Sequence, residues 1–65
     1  MKRDELIVAR KKALYTQYSI AGKLGISQPA YSLIESGKRC PSVTVAVRLN
    51  ELLGIPVEYF ANLGK

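Results

Sequence analysis

The feature that most constrains this chain is the segment 16–35, which encodes two short helices joined by a tight turn. Thr16 is a good helix N-cap and precedes a helix-compatible run over residues 17–24. Gly25 stands just past that run, where a left-handed backbone is commonly needed and glycine adopts it without steric cost. Ser27 offers a second N-cap, ahead of residues 28–35. The segment therefore predicts two helices held at a fixed angle.

Two short helices with a glycine-containing turn of this length form a helix-turn-helix, whose second helix enters the DNA major groove. Ala21 is small where the two helices are expected to cross, because a larger side chain would push them apart. The apolar residues expected to hold the angle are Ile20, Leu24, Ile26, Tyr31 and Ile34.

The charge of the chain is distributed unevenly. Its 65 residues carry a net charge of +5, and Glu35 is the only acidic residue between Leu6 and Arg48. A basic middle with acidic ends suggests a face that binds a polyanion such as nucleic acid. Small soluble proteins are also often basic for solubility alone, so charge by itself leaves both interpretations open.

Composition argues against several other classes of protein. The single Cys40 excludes an internal disulfide framework and is expected to be an ordinary small residue near a loop rather than a redox sensor. Without histidine there is no usual zinc-ligand set, and no acid-base or nucleophilic set is assembled, so we expect neither an enzyme nor a bound cofactor or metal. No apolar run has the length of a membrane span, and no signal-peptide core follows the N-terminus. We expect a soluble, cytoplasmic protein with no membrane partner.

The rest of the chain completes a single all-α domain over residues 1–65 with five helices. A first helix is expected over about 4–13, with Leu6, Ala9, Arg10 and Ala13 facing inward. After the two helices of the segment 16–35, a loop is expected over 36–41. Ser42 should cap a fourth helix over 43–53, which Gly54 closes. Its apolar positions are Val43, Ala46, Val47, Leu49 and Leu53, and a short fifth helix from Pro56 to about Asn62 is expected to anchor Phe60 in the core.

One set of residues recurs in a known family in this order and spacing: Arg10, Thr16-Gln17, Ile20-Ala21, residues 24–28, Ile34-Glu35, Gly37-Lys38, Pro41-Ser42 and residues 53–55. In these positions the chain resembles the phage-repressor-like (Cro/C1, XRE-type) helix-turn-helix family. The resemblance implies a compact five-helix DNA-binding domain in which Arg10 pairs with Glu35 to join the first and third helices.

Four positions depart from the family pattern. Leu14 occupies a position usually held by glycine, which suggests another geometry for the first loop. Asn50 replaces an alanine and needs a hydrogen-bond partner or solvent. Tyr31 replaces a smaller aliphatic residue, and Leu33 stands where a polar or basic side chain is common.

The resemblance also implies which residues contact double-stranded DNA. Gln28 is the best candidate for base reading, because its amide offers the donor and acceptor that match adenine. Phosphate contacts are expected from a second set, in which Ser27 either donates to the DNA backbone or only caps its helix. The full base-reading set is Gln28, Pro29, Ala30, Ser32 and Leu33, and the full backbone set is Thr16, Gln17, Ser27, Lys38 and Arg39.

The leading hypothesis is a transcriptional regulator that acts as a repressor and binds a palindromic operator as a homodimer. The candidate dimer face comprises Pro56, Val57 and Tyr59, with the tail around Leu63, and the alternative is that each of these residues simply closes the core. The alternative is a protein-interaction module on the same fold, such as an antirepressor or an antitoxin partner, that meets a regulatory protein through exposed Leu33, Ile7 and Val8. Salt-dependent binding to random duplex DNA distinguishes the two hypotheses.

Overall fold

A computed structural model describes residues 3–64, with side chains described through residue 60. In this part of the chain every regular element is a helix, and there is no strand. Its elements are α1 (Asp4–Lys12), α2 (Gln17–Leu24), α3 (Gln28–Glu35), α4 (Val43–Leu53) and a 3-10 helix (Val57–Gly64). None of these helices is long and apolar enough to cross a lipid bilayer.

The caps expected from the sequence set the beginnings of α2, α3 and α4. The Thr16 hydroxyl accepts a hydrogen bond from the Ser19 amide at 3.0 Å, and the Ser19 hydroxyl accepts one from the Thr16 amide at 2.9 Å. Ser27 caps α3 through the Ala30 amide, and Ser42 caps α4 through the Val45 amide, each at 3.2 Å. Each cap satisfies an amide that has no partner within its helix.

The first three helices end in the same hydrogen-bonded turn. After α2, the Gly25 amide bonds to the Gly22 carbonyl and the Ile26 amide to the Ala21 carbonyl, with Gly25 at φ +73°. This Schellman motif recurs after α3, where Gly37 has φ +81°. It recurs after α1 with Leu14 at φ +65°, so the loop that was expected to differ keeps a left-handed residue at that position. The expectation of another geometry was therefore wrong, because leucine adopts the conformation that glycine would.

One apolar core is shared by all five elements. Leu6, Ile20, Tyr31 and Leu49 are fully buried, and Ala21 is nearly so where α2 packs against α3. The remaining core residues are Leu24, Ile34, Val45, Ala46, Ile55 and Phe60. Ile26 lies at the edge of this core and is half-buried.

The structure corrects two further sequence-based expectations, and it separates the apolar positions of α4 into buried and exposed ones. The segment after Pro56 is a 3-10 helix, begun by a hydrogen bond from the Tyr59 amide to the Pro56 carbonyl, so residues 3–64 contain four α-helices and a 3-10 helix rather than five α-helices. Ala13 is exposed because α1 ends at Lys12, and the helical period that would turn Ala13 inward does not continue. Val43 and Val47 are also exposed, since the buried side of α4 is formed by Val45, Ala46 and Leu49.

Asn50 was expected to find a partner or to reach solvent, and it does both, because the residue is exposed and also hydrogen-bonded. Its side-chain amide donates to the Ile55 carbonyl at 3.0 Å. The bond links α4 to the segment after Gly54, which leads into the 3-10 helix.

Candidate nucleic-acid interface

The helix α3 has one buried side and one open side. Tyr31, Ile34 and Glu35 face the core, with exposed fractions of 4 % or less. The five candidate base-reading residues all retain solvent exposure: Pro29 and Leu33 are exposed, and Gln28, Ala30 and Ser32 are half-buried. The open side carries no charged residue, so any base contact made there relies on amide, hydroxyl and apolar groups.

Beneath α3, a buried ion pair joins it to α1. The Arg10 Nε lies 2.5 Å from Glu35 Oε2, and the side chains are only 11 % and 5 % exposed. Arg10 also donates to the Tyr15 carbonyl at 2.9 Å, which fixes the guanidinium against the turn that follows α1. The pairing implied by the family resemblance is thus present in the structure.

The Glu35 carboxylate also holds Gln17, the first residue of α2. Gln17 Nε2 donates to Glu35 Oε1 at 2.9 Å, and Gln28 Nε2 donates to Gln17 Oε1 at 2.7 Å. Because an ionised carboxylate only accepts, Gln17 must turn its NH₂ toward Glu35 and its oxygen toward Gln28. Gln28 must then turn its own NH₂ toward Gln17. Its carbonyl oxygen and its second N–H remain available.

Two opposed effects set the ionisation of Glu35. Burial would raise the pKa of its carboxyl, but hydrogen bonds from Arg10 and Gln17, with a polar contact from Tyr31 and the charge of Arg10, outweigh burial and lower that pKa. Glu35 therefore stays an acceptor at neutral pH, as the orientation of Gln17 and Gln28 requires.

Tyr31 lies directly beside this carboxylate. Burial, and then the neighbouring Glu35 carboxylate, raise the pKa of the Tyr31 phenol, so the hydroxyl is neutral at neutral pH. The hydroxyl is buried and makes no well-formed hydrogen bond to any described group. The tyrosine that replaces an aliphatic residue thus fills the core and borders the Glu35 network.

The polar residues expected to contact the DNA backbone lie at the two helix N-termini and in the loop after α3. Thr16 and Ser27 are exposed, and both hydroxyl oxygens are used as cap acceptors. Lys38 and Arg39 are exposed, and both backbone amides donate to the Leu33 carbonyl, at 3.0 and 3.2 Å. The Gln17 side chain is engaged on both sides, which leaves one of its N–H groups for a further contact.

Sequence reasoning missed Arg3. This residue is only 4 % exposed, and its guanidinium lies over the Phe60 ring at 5.3 Å from the centroid. It bonds to the end of α3 and to the following loop. No signal in the sequence indicates this, because Arg3 precedes the first helix and belongs to no periodic pattern.

The candidate dimer residues lie at and just before the 3-10 helix. Pro56 and Val57 are exposed, with Val57 at 40 %. Tyr59 is half-buried, and its ring meets Phe60 edge-on with centroids 5.2 Å apart. Tyr59 thus packs partly on the core, whereas Pro56 and Val57 are open to solvent. Leu63 lies outside the residues whose side chains are described.

Comparison with known proteins agrees with this geometry. A family model described as helix-turn-helix matches residues 6–60. The chain is 34 % identical over 59 residues to an uncharacterized HTH-type transcriptional regulator, YqaE, of Bacillus subtilis (strain 168). That alignment covers 91 % of this chain and 51 % of the relative, so the chain spans about half the relative's length. No solved structure matches the chain. The family match and the relative together show that the chain belongs to the Cro/C1-type helix-turn-helix family.

Proposed function

We propose that this chain is a sequence-specific DNA-binding domain that regulates transcription by laying α3 in the major groove of duplex DNA. The observation that carries the proposal is the hydrogen-bonded pair Gln17–Gln28, which holds an amide at the open N-terminal end of α3. Membership of the helix-turn-helix family and the name of the B. subtilis relative support the same function.

Gln28 is the principal base-reading residue in this proposal. With one N–H committed to Gln17, its oxygen and remaining N–H are the acceptor and donor that adenine N6 and N7 require. Such a bidentate pair contributes about 1–3 kcal/mol of discrimination against other bases. Ala30 and Leu33 offer apolar contact to thymine methyl groups, Ser32 offers a hydroxyl, and Pro29 limits how closely the first turn approaches the bases.

Phosphate contacts supply most of the affinity in this proposal. The N-termini of α2 and α3, at Thr16, Gln17 and Ser27, face one strand and present the amides of Gln17 and Ser27 to it, and exposed Lys38 and Arg39 neutralise phosphates beyond the other end of α3. Two copies bind a palindromic operator as a homodimer and act as a cytoplasmic repressor, without enzymatic activity or a cofactor.

Comparison of Gln28→Ala with Arg39→Ala tests the proposal. A preferred site is first selected from a random duplex pool, and affinities are then measured at fixed salt for that site and its single-base variants. Gln28→Ala is expected to lose about tenfold or more of discrimination at one or two base pairs. Arg39→Ala is expected to weaken all sequences alike and to reduce the slope of log affinity against log salt by about 1. Unchanged discrimination in Gln28→Ala contradicts the assignment.

A second candidate function is binding to a regulatory protein. The uncharged open side of α3 and the 41 % exposure of Leu33 favour it, because protein interfaces are depleted in charge at their centres. The salt titration separates the two functions. Steep salt dependence on random duplex supports DNA binding, whereas no binding at low salt supports the protein-binding alternative.

A further inference from the structure

The C-terminal end of α3 is hydrogen-bonded to Arg3, a residue from the N-terminal end of the chain. The last carbonyls of a helix have no partner within it and must be satisfied elsewhere. The residues after α3 satisfy three of the last four: the Ser36 amide bonds to the Ser32 carbonyl, the Gly37 amide to the Ile34 carbonyl, and the amides of Lys38 and Arg39 to the Leu33 carbonyl. The Glu35 carbonyl instead accepts from the Arg3 amide at 2.8 Å.

The Arg3 side chain adds two bonds at the same place. Its Nη1 donates to the Ile34 carbonyl and, at 2.8 Å, to the Arg39 carbonyl. Arg39 is therefore held at both backbone ends, through its amide to Leu33 and its carbonyl to Arg3.

The described contacts of the buried Arg3 guanidinium include no carboxylate. Peptide carbonyl dipoles and an aromatic ring stabilise it instead. The carbonyls at the end of α3 carry the negative end of the helix dipole, which favours a cation there. The Phe60 ring faces the guanidinium from the 3-10 helix and contributes a cation–π interaction. Arg3 thus ties three parts of the fold to one point: the end of α3, the loop with Lys38 and Arg39, and the 3-10 helix.

We propose that Arg3 is a positioning residue for DNA binding: it clamps the loop after α3 so that Lys38 and Arg39 meet phosphates in fixed register with Gln28. The proposal rests on the DNA-binding function proposed above. Because Arg3 is buried, the proposal assigns it no direct contact with DNA. Its effect acts through the backbone of Arg39, and it should change phosphate contacts without changing which bases are preferred.

The test compares Arg3→Met, Arg3→Lys and the control Arg48→Met. Arg48 is an exposed residue of α4, so the control removes the same charge without touching the clamp. Two quantities are measured well below the unfolding temperature of each variant. The first is amide hydrogen exchange at residues 37–39 in the free protein, and the second is the salt dependence of binding to the selected site and to its single-base variants.

In Arg3→Met, exchange at Lys38 and Arg39 is expected to rise about tenfold or more relative to exchange at core amides such as that of Ile20. The slope of log affinity against log salt should become shallower by about 1 to 2, with the ranking of bases unchanged. Arg3→Lys keeps a cation, so its loop exchange and its salt slope should lie between those of Arg3→Met and those of the parent. This variant keeps the test decisive if Arg3→Met does not fold. Arg48→Met should match the parent in loop exchange.

Three results would overturn the clamp: a uniform rise in exchange across the domain, an unchanged salt slope in Arg3→Met and Arg3→Lys, or equal loop exchange in both Arg3 variants and Arg48→Met. Failure of the parent protein to bind any duplex at low salt would instead refute the DNA-binding proposal. The exchange measurement needs no DNA and tests the clamp separately.

Discussion

Leu14 occupies a backbone conformation that leucine rarely adopts. Its φ is +65°, and its side chain is 91 % exposed, so almost no apolar burial compensates for the strain. The left-handed conformation of Leu14 is set by the Schellman turn, in which the Leu14 amide bonds to the Lys11 carbonyl and the Tyr15 amide to the Arg10 carbonyl. The geometry of the turn therefore overrides the preference of the residue.

We expect Leu14→Gly to stabilise the domain. A left-handed non-glycine residue costs about 1–2 kcal/mol, and the greater freedom of glycine in the unfolded chain offsets about half of the gain. The free energy of unfolding, measured by urea denaturation, should rise by about 0.5–1 kcal/mol. Leu14→Ala is the matched control, because it shortens the side chain but keeps the Cβ, and it should stay near the parent. A less stable glycine variant would contradict the strain argument.

At the scale of helices, the sequence predicted boundaries better than it predicted contacts between elements. Thr16, Ser27 and Ser42 cap the helices that their positions indicate, and Gly25 and Gly54 end two of them. These signals are local, because a cap and its amide partner lie within three residues of each other. The 3-10 winding after Pro56 could not be predicted, since proline in a first turn suits either helix type.

The contacts of the candidate site likewise divide into those that the sequence could predict and those that depend on the three-dimensional arrangement. The Arg10–Glu35 pair was anticipated through the family resemblance, and Glu35 stood out as a lone acid in a basic stretch. The links from Glu35 to Gln17 and on to Gln28 could not be predicted, because they depend on how the N-termini of α2 and α3 meet in space. Arg3 carries no local signal at all, and its partners are more than thirty residues away.

The network between α1, α2 and α3 should make stability depend on acid pH. The pKa of Glu35 is lower in the folded protein than its ordinary value of 4.5, so the unfolded chain takes up this proton first as the pH falls. The stabilisation is fully present above about pH 4.5 and is lost as the pH falls through the folded pKa. Glu35→Gln should remove this part of the pH dependence, measured as the free energy of unfolding between pH 7 and pH 3.

At neutral pH, Glu35→Gln should also destabilise the domain by about 3 kcal/mol, because Arg10 would be left buried without a counter-charge. Exposed Glu51 provides the control, since Glu51→Gln removes one acid from α4 without touching the network. Parallel pH profiles for Glu35→Gln and the parent would refute the assignment of this dependence to Glu35.

For the whole molecule, size bears on the proposed binding of two copies to one DNA site. The described domain measures 29 × 22 × 21 Å, shorter than the ~34 Å between half-sites that lie one helical turn apart. One copy can therefore place one α3 in one segment of major groove. The palindromic operator of the proposed function would require a second copy, and a contact between the two copies would set the spacing of the half-sites.

Val57 is the exposed apolar residue best placed to test that contact. It begins the 3-10 helix, which Arg3 ties through Phe60 to the end of α3, so a contact at Val57 would hold the two recognition helices in fixed relation. Val57→Asp should leave thermal stability nearly unchanged, because the residue is 40 % exposed. The substitution should nevertheless weaken binding to a palindromic site about tenfold or more, whereas binding to a single half-site should fall only slightly. Half-site binding falls slightly because the new carboxylate lowers the net charge by one, and Val8→Asp on α1 reproduces that change at another exposed valine. Equal losses on the palindrome for the two variants would place the contact elsewhere, since the shared charge change would then account for the whole effect.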